Sequence, residues 1–260
     1  MSDIENKVIL ISGAANGIGR QLAIKFDSLK CKKLILIDID QIGLEQLKSE
    51  LQTPSEVLKI DLSTDFSSHE GLIKLISSNS IDILICNAGL GGINPADSYD
   101  EKINRKMMSV NFFGTTTMIS LILPQMIQRM DGHIVGVASL AGLRGMPQAS
   151  SYSASKAAQI SFLESLRLDL IPYRVKVTSI MPGFISTRMT NHDDFKMPFM
   201  LSADRTADKI ITAIRKKKRT FYFPFPMNVL AILNRFLPSS IYDRLILLLN
   251  PAQKKQAKIF

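Results

Sequence analysis

Tyr152 and Lys156 stand four residues apart, downstream of Ser139, in the stretch Ser139 to Lys156. Ser139 closes an apolar run, His133 to Ala138, and so places a hydroxyl at the end of an expected strand. Residues four apart on a helix share a face, so the Lys156 ammonium can sit beside the Tyr152 phenol. A free tyrosine, with a pKa near ~10, is a poor proton donor or acceptor at neutral pH. A close cation favours the phenolate and lowers that pKa, which suits Tyr to general acid–base work. The same spacing arises by chance on surface helices, so the surrounding elements must decide whether it does chemistry.

Lys7 to Ser12 is a short apolar, β-branched run, the pattern of a buried parallel strand. The turn Gly13-Ala-Ala-Asn16-Gly17-Ile18-Gly19 follows at once, and Arg20 to Leu29 has helical apolar spacing. Strand, glycine turn and helix form the context of a dinucleotide site. The glycines let backbone approach a pyrophosphate, and the helix N-terminus attracts its charge. The second strand, Lys33 to Ile37, ends at Asp38, with Asp40 as a competing candidate. A carboxylate there accepts hydrogen bonds from ribose hydroxyls and repels a 2′-phosphate, so NAD is expected over NADP.

Further along, Asp40 to Leu51 reads as a helix, Glu56 to Ile60 as a strand running into Asp61-Leu62, and Asp65 to Ser78 as a helix. A fourth strand, Ile81 to Cys86, ends in Asn87-Ala88-Gly89. Tyr99 to Met130 carries long helical patterning around Asn111, with Gly114 and Pro124 as expected points of bending. His133 to Ala138, Ser150 to Ile171 and Arg174 to Met181 read as strand, long helix and strand. Pro182-Gly183-Phe184-Ile185-Ser186-Thr187 breaks regularity, and Arg188 to Leu201 reads as a loop over the site. Ser202 to Lys218 is an expected helix capped by Ser202, and Thr220 to Phe223 a last strand. This alternation predicts an α/β chain with a doubly wound parallel sheet over residues 1–223 and a helical extension over 224–260. Ligands in such sheets bind beyond the C-terminal strand ends. Ser12, Asp38, Asp61, Asn87, Ser139 and Pro182 all fall at those ends.

Together these residues resemble the short-chain dehydrogenase/reductase family, from Lys7 to about Phe223. The matching features are Ser12-Gly13-x-x-x-Gly17-x-Gly19, Asp61-Leu62, Asn87-Ala88-Gly89, Asn111, Ser139, Tyr152-x-x-x-Lys156 and Pro182-Gly183-x-x-x-Thr187. Ser12 stands where the family usually carries Thr. The resemblance implies that Tyr152 exchanges a proton with the substrate oxygen. It implies that Lys156 lowers the Tyr pKa and bonds the nicotinamide ribose. Ser139 would hold the substrate carbonyl, and Asn111 would keep a water in a proton relay. It further implies adenine contacts at Asp61 and Leu62, a strand end beneath the adenosine and ribose at Asn87, Ala88 and Gly89, and a nicotinamide clamp at Pro182, Gly183, Ile185 and Thr187. The implied activity is NAD(H)-dependent oxidation of a secondary alcohol or reduction of a ketone. The apolar segment Phe195 to Leu201 suggests a lipophilic substrate. The alternatives are a dinucleotide-binding scaffold without turnover, or a 3-oxoacyl-thioester reductase. The family's association through its long helices implies a homodimer.

The remaining composition narrows the setting. Cys31 and Cys86 lie in apolar surroundings and read as core residues, not a disulfide framework. With no basic-then-apolar start, a cytoplasmic chain is expected. His69, His133 and His192 lack metal-ligand spacing, so no metal site is expected. No Gly-x-Ser-x-Gly elbow surrounds Ser139, which argues against a serine hydrolase. Arg215 to Phe260 holds ten basic residues against one acid, a net +9, whereas Met1 to Ile214 balances 22 against 22. That asymmetry points away from a nucleic-acid-binding domain and toward an anionic partner for residues 215–260. Within them, Met227–Leu237 and Ile241–Leu249 are apolar but far shorter than the ~20 residues of a membrane span. Lys216–Lys218 before and Lys254-Lys255 after them give the pattern of short helices lying on the inner face of a membrane. The alternative reading has these helices covering an apolar surface of the protein itself.

Overall fold

The computed structural model describes residues 4–186 and 199–249. The first half alternates β1 (Val8–Ser12), α1 (Gly17–Ser28), β2 (Lys33–Asp38), α2 (Gln41–Glu50), β3 (Ser55–Lys59), α3 (Glu70–Ser78) and β4 (Ile83–Cys86). A helical run of α4 (Glu101–Met108), a π-helical turn (Ser109–Phe113) and α5 (Gly114–Arg129) leads to β5 (Gly132–Val137). Then follow α6 (Ser150–Asp169), β6 (Val175–Pro182), the two-residue β7 (Ile185–Ser186) and β8 (Leu201–Ser202), α7 (Ala203–Arg215) and β9 (Thr220–Phe223). The extension forms α8 (Met227–Phe236) and α9 (Ser239–Leu249).

Seven strands make one parallel sheet in the order β3-β2-β1-β4-β5-β6-β9, the doubly wound α/β topology expected from the alternation. The order reverses between β1 and β4, which opens the crevice where such sheets bind ligands. β1 is buried at all five positions because helices cover both faces. Ile9 and Ile11 face a core shared with Leu22 and Phe26 of α1 and Ile210 of α7. Leu10 faces the opposite core, with Met118 and Ile122 of α5 and Leu163 of α6. Removing such a side chain costs about 2–5 kcal/mol, so this sandwich fixes the strand ends in place. Cys31 and Cys86 are free and buried, as their surroundings suggested, and burial pushes their thiols up to about 11 and about 12.

Two expectations are corrected. α3 starts at Glu70, not Asp65, because Asp65 forms its own turn with the backbone N–H and hydroxyl of Ser67 (2.9 and 2.7 Å). His69 then caps α3, its Nδ1 accepting from Leu72 N at 3.3 Å. The helix around Asn111 does not break at Gly114 or at the exposed Pro124; the irregularity is the π-helical turn at Ser109–Phe113. The run Glu101–Arg129 is long and apolar enough to cross a membrane, yet Met118, Ile119, Ile122 and Met126 are buried in the core beneath it.

Candidate active site

The glycine turn is locked to the end of β4 by one hydroxyl and one amide. Ser12 Oγ accepts from the backbone N–H groups of Asn87 and Ala88, each at 3.2 Å. Asn87 Nδ2 donates to the carbonyls of Ser12 (3.1 Å) and Gly13 (3.0 Å). Gly13 has φ +69°, and a Cβ there would lie 2.7 Å from Ala88 Cα. A Cβ on Gly19 would lie 2.0 Å from the Gly13 carbonyl oxygen. No side chain caps α1: Asn16 instead donates from Nδ2 to Asp40 Oδ2 at 3.1 Å. Gly17 and Ile18 open the helix, so its first amides point into the crevice end of the sheet without a side-chain partner.

Asp38 ends β2 beside this turn, with Oδ2 accepting from Ala15 N (2.9 Å) and Oδ1 from Asp40 N (3.1 Å). Asp40, the competing carboxylate, is the N-cap of α2, its Oδ1 accepting from Gly43 N at 2.9 Å. Asp61 accepts from the N–H (2.8 Å) and hydroxyl (2.7 Å) of Ser63, which hold its carboxyl below the usual range. Leu62 is buried beside it.

The second group meets at the ends of β4, β5 and β6. Lys156 Nζ donates to Val137 O (2.9 Å) and Gln159 Oε1 (3.1 Å). Gln159 Nε2 donates to Thr115 Oγ1 (3.0 Å), which donates to Asn111 O (2.9 Å). The Asn111 amide, fully buried in the π-helical turn, donates to Leu90 O (2.9 Å) and Ser155 Oγ (2.8 Å) and accepts from Leu90 N (2.7 Å). Ser155 donates to Tyr152 O at 2.8 Å. Ser139 Oγ accepts from Ala141 N at 3.1 Å, and its hydroxyl also meets Tyr152. A Cβ on Gly89 would lie 3.2 Å from Asn111 Oδ1 and 3.4 Å from Lys156 Nζ, so the β4 end and this network are one site. Pro182 ends β6, Gly183 N donates to Phe223 O at 2.8 Å, and Ile185 is buried. Thr187, and the loop expected over the site up to Pro198, lie outside the described residues.

Residues 7–197 match the short chain dehydrogenase family. The chain belongs to this family. An uncharacterized oxidoreductase of Myxococcus xanthus (strain DK1622) is 31% identical over 247 residues, covering 94% of this chain and 97% of its own. Among solved structures, a short chain dehydrogenase from Burkholderia cenocepacia J2315 in complex with NADP superposes with a TM-score of 0.81. It is 27% identical over 95% of this chain and 99% of its own. A 4-hydroxyisoleucine dehydrogenase complexed with NADH superposes with a TM-score of 0.75, at 26% identity over 84% of this chain and 97% of its own.

In this short-chain dehydrogenase the sequence spacing brings Tyr152, Lys156, Ser139 and Asn111 together, but the proton affinities differ from expectation. Burial pushes the Tyr152 phenol up, opposed only by the Ser139 hydroxyl. Burial pulls Lys156 down to about 8. The Lys156 ammonium donates to Val137 O and Gln159 Oε1, and burial is the larger influence on the phenol. Burial therefore keeps Tyr152 a protonated phenol at neutral pH, beside the Ser139 hydroxyl.

Gln159, Thr115 and Ser155 are site residues that sequence reasoning passed over. The signal was available in their spacing: Gln159 follows Lys156 by three, and Thr115 follows Asn111 by four, each on a shared helix face. Gln159 is fully buried and accepts from the Lys156 ammonium, which favours its charged form. Gln159→Leu is expected to lower the Lys156 pKa further, moving the corresponding limb of the pH profile of kcat/KM down by about one unit, or ~1.4 kcal/mol. Gln159→Glu is expected to move it up. A profile fixed in both variants, with only the melting temperature changed, would leave Gln159 as packing.

Proposed function

We propose that this short-chain dehydrogenase oxidises a lipophilic secondary alcohol, or reduces the matching ketone, with NAD(H). A nicotinamide dinucleotide supplies the hydride chemistry when bound. The supporting observation is the single buried network that ties Tyr152, Lys156 and Asn111 to the strand ends beside the glycine cradle. The residues fit such a cofactor. Side chains at Gly13 or Gly19 would fill the cradle, the α1 amides suit a pyrophosphate, and Asp38 suits ribose hydroxyls.

In reduction, Ser139 holds the substrate oxygen and Tyr152 gives it a proton from its phenol. Lys156 stabilises the charge left on Tyr152, and Asn111 holds Ser155 and the Leu90 backbone around that ammonium. Oxidation takes the same proton in the opposite sense. A lipophilic substrate is supported by the apolar segment Phe195 to Leu201, which follows the strand-end residues Pro182 and Gly183 in the chain.

Asp38 carries the preference for NAD, since the two related structures hold different dinucleotides. Its carboxylate is already fixed by Ala15 N, and a 2′-phosphate would meet it charge to charge. A screen of secondary alcohols of graded chain length, run with NAD and NADP side by side, tests this reading. The kcat/KM ratio of NAD over NADP is expected to favour NAD and to narrow at least tenfold in Asp38→Ala, while kcat/KM itself is expected to rise with alcohol chain length. A ratio favouring NADP in the parent protein overturns the cofactor assignment.

A further inference from the structure

The two terminal helices are amphipathic in an unusual sense: their inner sides are fixed to the protein, and their outer sides are also apolar. On the inner side, Met227 and Ala231 of α8 pack with Leu140 and Leu143, next to Ser139. Arg144 Nη1 donates to the carbonyl oxygens of Asn234 and, at 2.7 Å, Leu237. Its guanidinium lies 3.9 Å above the centre of the Tyr242 ring, and Tyr242 OH donates to Gly145 O at 2.6 Å. The segment that follows Ser139 is thus clasped to both helices.

The outer side of α8 presents Val229, Leu230, Leu233 and Phe236, spaced to form one stripe; Leu233 is 59% and Phe236 77% exposed. On α9 the exposed Ile241, Arg244 and Leu248 share a face. Contiguous exposed apolar surface of this kind marks an interaction site.

We propose that this outer face docks on an anionic lipid surface, with α8 and α9 lying flat in the interface. The helices span 10 and 11 residues, too short to cross a bilayer and suited to lying along it. Arg244 is exposed between Ile241 and Leu248 on the outer face of α9, where a long cationic side chain reaches headgroups. Charge also decides between occupants. Residues 224–260 carry five basic residues and one acid, a net +4. Pairing with a second copy through this face would oppose like charges, whereas anionic headgroups neutralise them. Docking would set the clasped segment after Ser139 near the lipid. The docking claim itself stands independently of the reaction proposed above.

The test is co-sedimentation of the full chain with vesicles of equal phosphatidylglycerol and phosphatidylcholine at low salt. The wild-type protein is expected to pellet with these vesicles. At least tenfold less is expected to pellet with pure phosphatidylcholine, or at high salt. The variant Leu230→Gln/Leu233→Gln/Phe236→Gln changes exposed side chains only. It is expected to stay in the supernatant with an unchanged thermal melt and unchanged affinity for NAD. Wild-type protein left in the supernatant, or a variant that pellets like the parent, overturns the proposal. A fall in light-scattering mass from dimer to monomer in the variant would instead assign the face to a second copy.

Discussion

Tyr152→Phe is expected to lower turnover by a factor of about 10²–10⁴ while leaving dinucleotide affinity within about twofold. The substitution removes one oxygen and keeps the ring that packs at the start of α6. The cradle at Gly13, Gly19 and Asn87 makes no contact through that oxygen, and the Ser155 bond goes to the Tyr152 backbone carbonyl, which remains. Burial keeps this phenol, beside Ser139, protonated at neutral pH. Lys156, at about 8, holds its protons against Val137 and Gln159. Turnover and NAD affinity, measured on the same preparation, separate the two effects. A Phe variant within about tenfold of the parent, a barrier change of only ~1.4 kcal/mol, would reject Tyr152 as the proton donor.

Gly19→Ala is expected to weaken NAD binding by roughly a hundredfold, ~2.7 kcal/mol. Its Cβ would sit 2.0 Å from the Gly13 carbonyl oxygen, a backbone atom that cannot swing aside as a side chain could. Relief requires the Gly13 turn to move. That turn is held by Asn87 Nδ2 and the Ser12 hydroxyl, so the strain spreads to the end of β4. Overpacking of this kind costs about 1–3 kcal/mol. The melting temperature should fall as well, and saturating NAD should recover less of it than in the parent protein. Calorimetric titration checks the affinity. Binding within threefold of the parent would mean that the glycine turn is not the dinucleotide cradle.

Much of the fold was legible because its signals are local. β1 reads as an unbroken β-branched run, and β9 was placed residue for residue by Thr220 to Phe223 between a lysine cluster and Pro224. Ser202 was recognisable as the α7 cap, and its Oγ accepts from Arg205 N at 3.2 Å. The strand-end positions of Ser12, Asp38, Asn87 and Ser139 followed from counting along those strands. Other features were hidden because they depend on distant partners or on competing side chains. Asp65 spends its carboxylate on Ser67, a local choice that periodicity does not encode. The π-helical turn leaves no compositional mark, yet it sets Asn111 between Leu90 and Ser155. The proton affinity of Tyr152 is set first by burial, which arises only once α6 is packed. No local pattern singles out Arg144, because its partners at Asn234, Leu237 and Tyr242 are some ninety residues away in the chain.

The most direct test of the central claim follows a label. A secondary alcohol carrying deuterium on its carbinol carbon is incubated with the enzyme and NAD, and the recovered dinucleotide is weighed by mass spectrometry. The account predicts deuterium on the nicotinamide ring in proportion to ketone formed, with both signals absent in Tyr152→Phe although that variant still binds NAD. A protein that binds NAD tightly yet moves no label from any secondary alcohol in the graded series, and none from labelled NADH to the ketones, would be a dinucleotide-binding scaffold and would contradict the account.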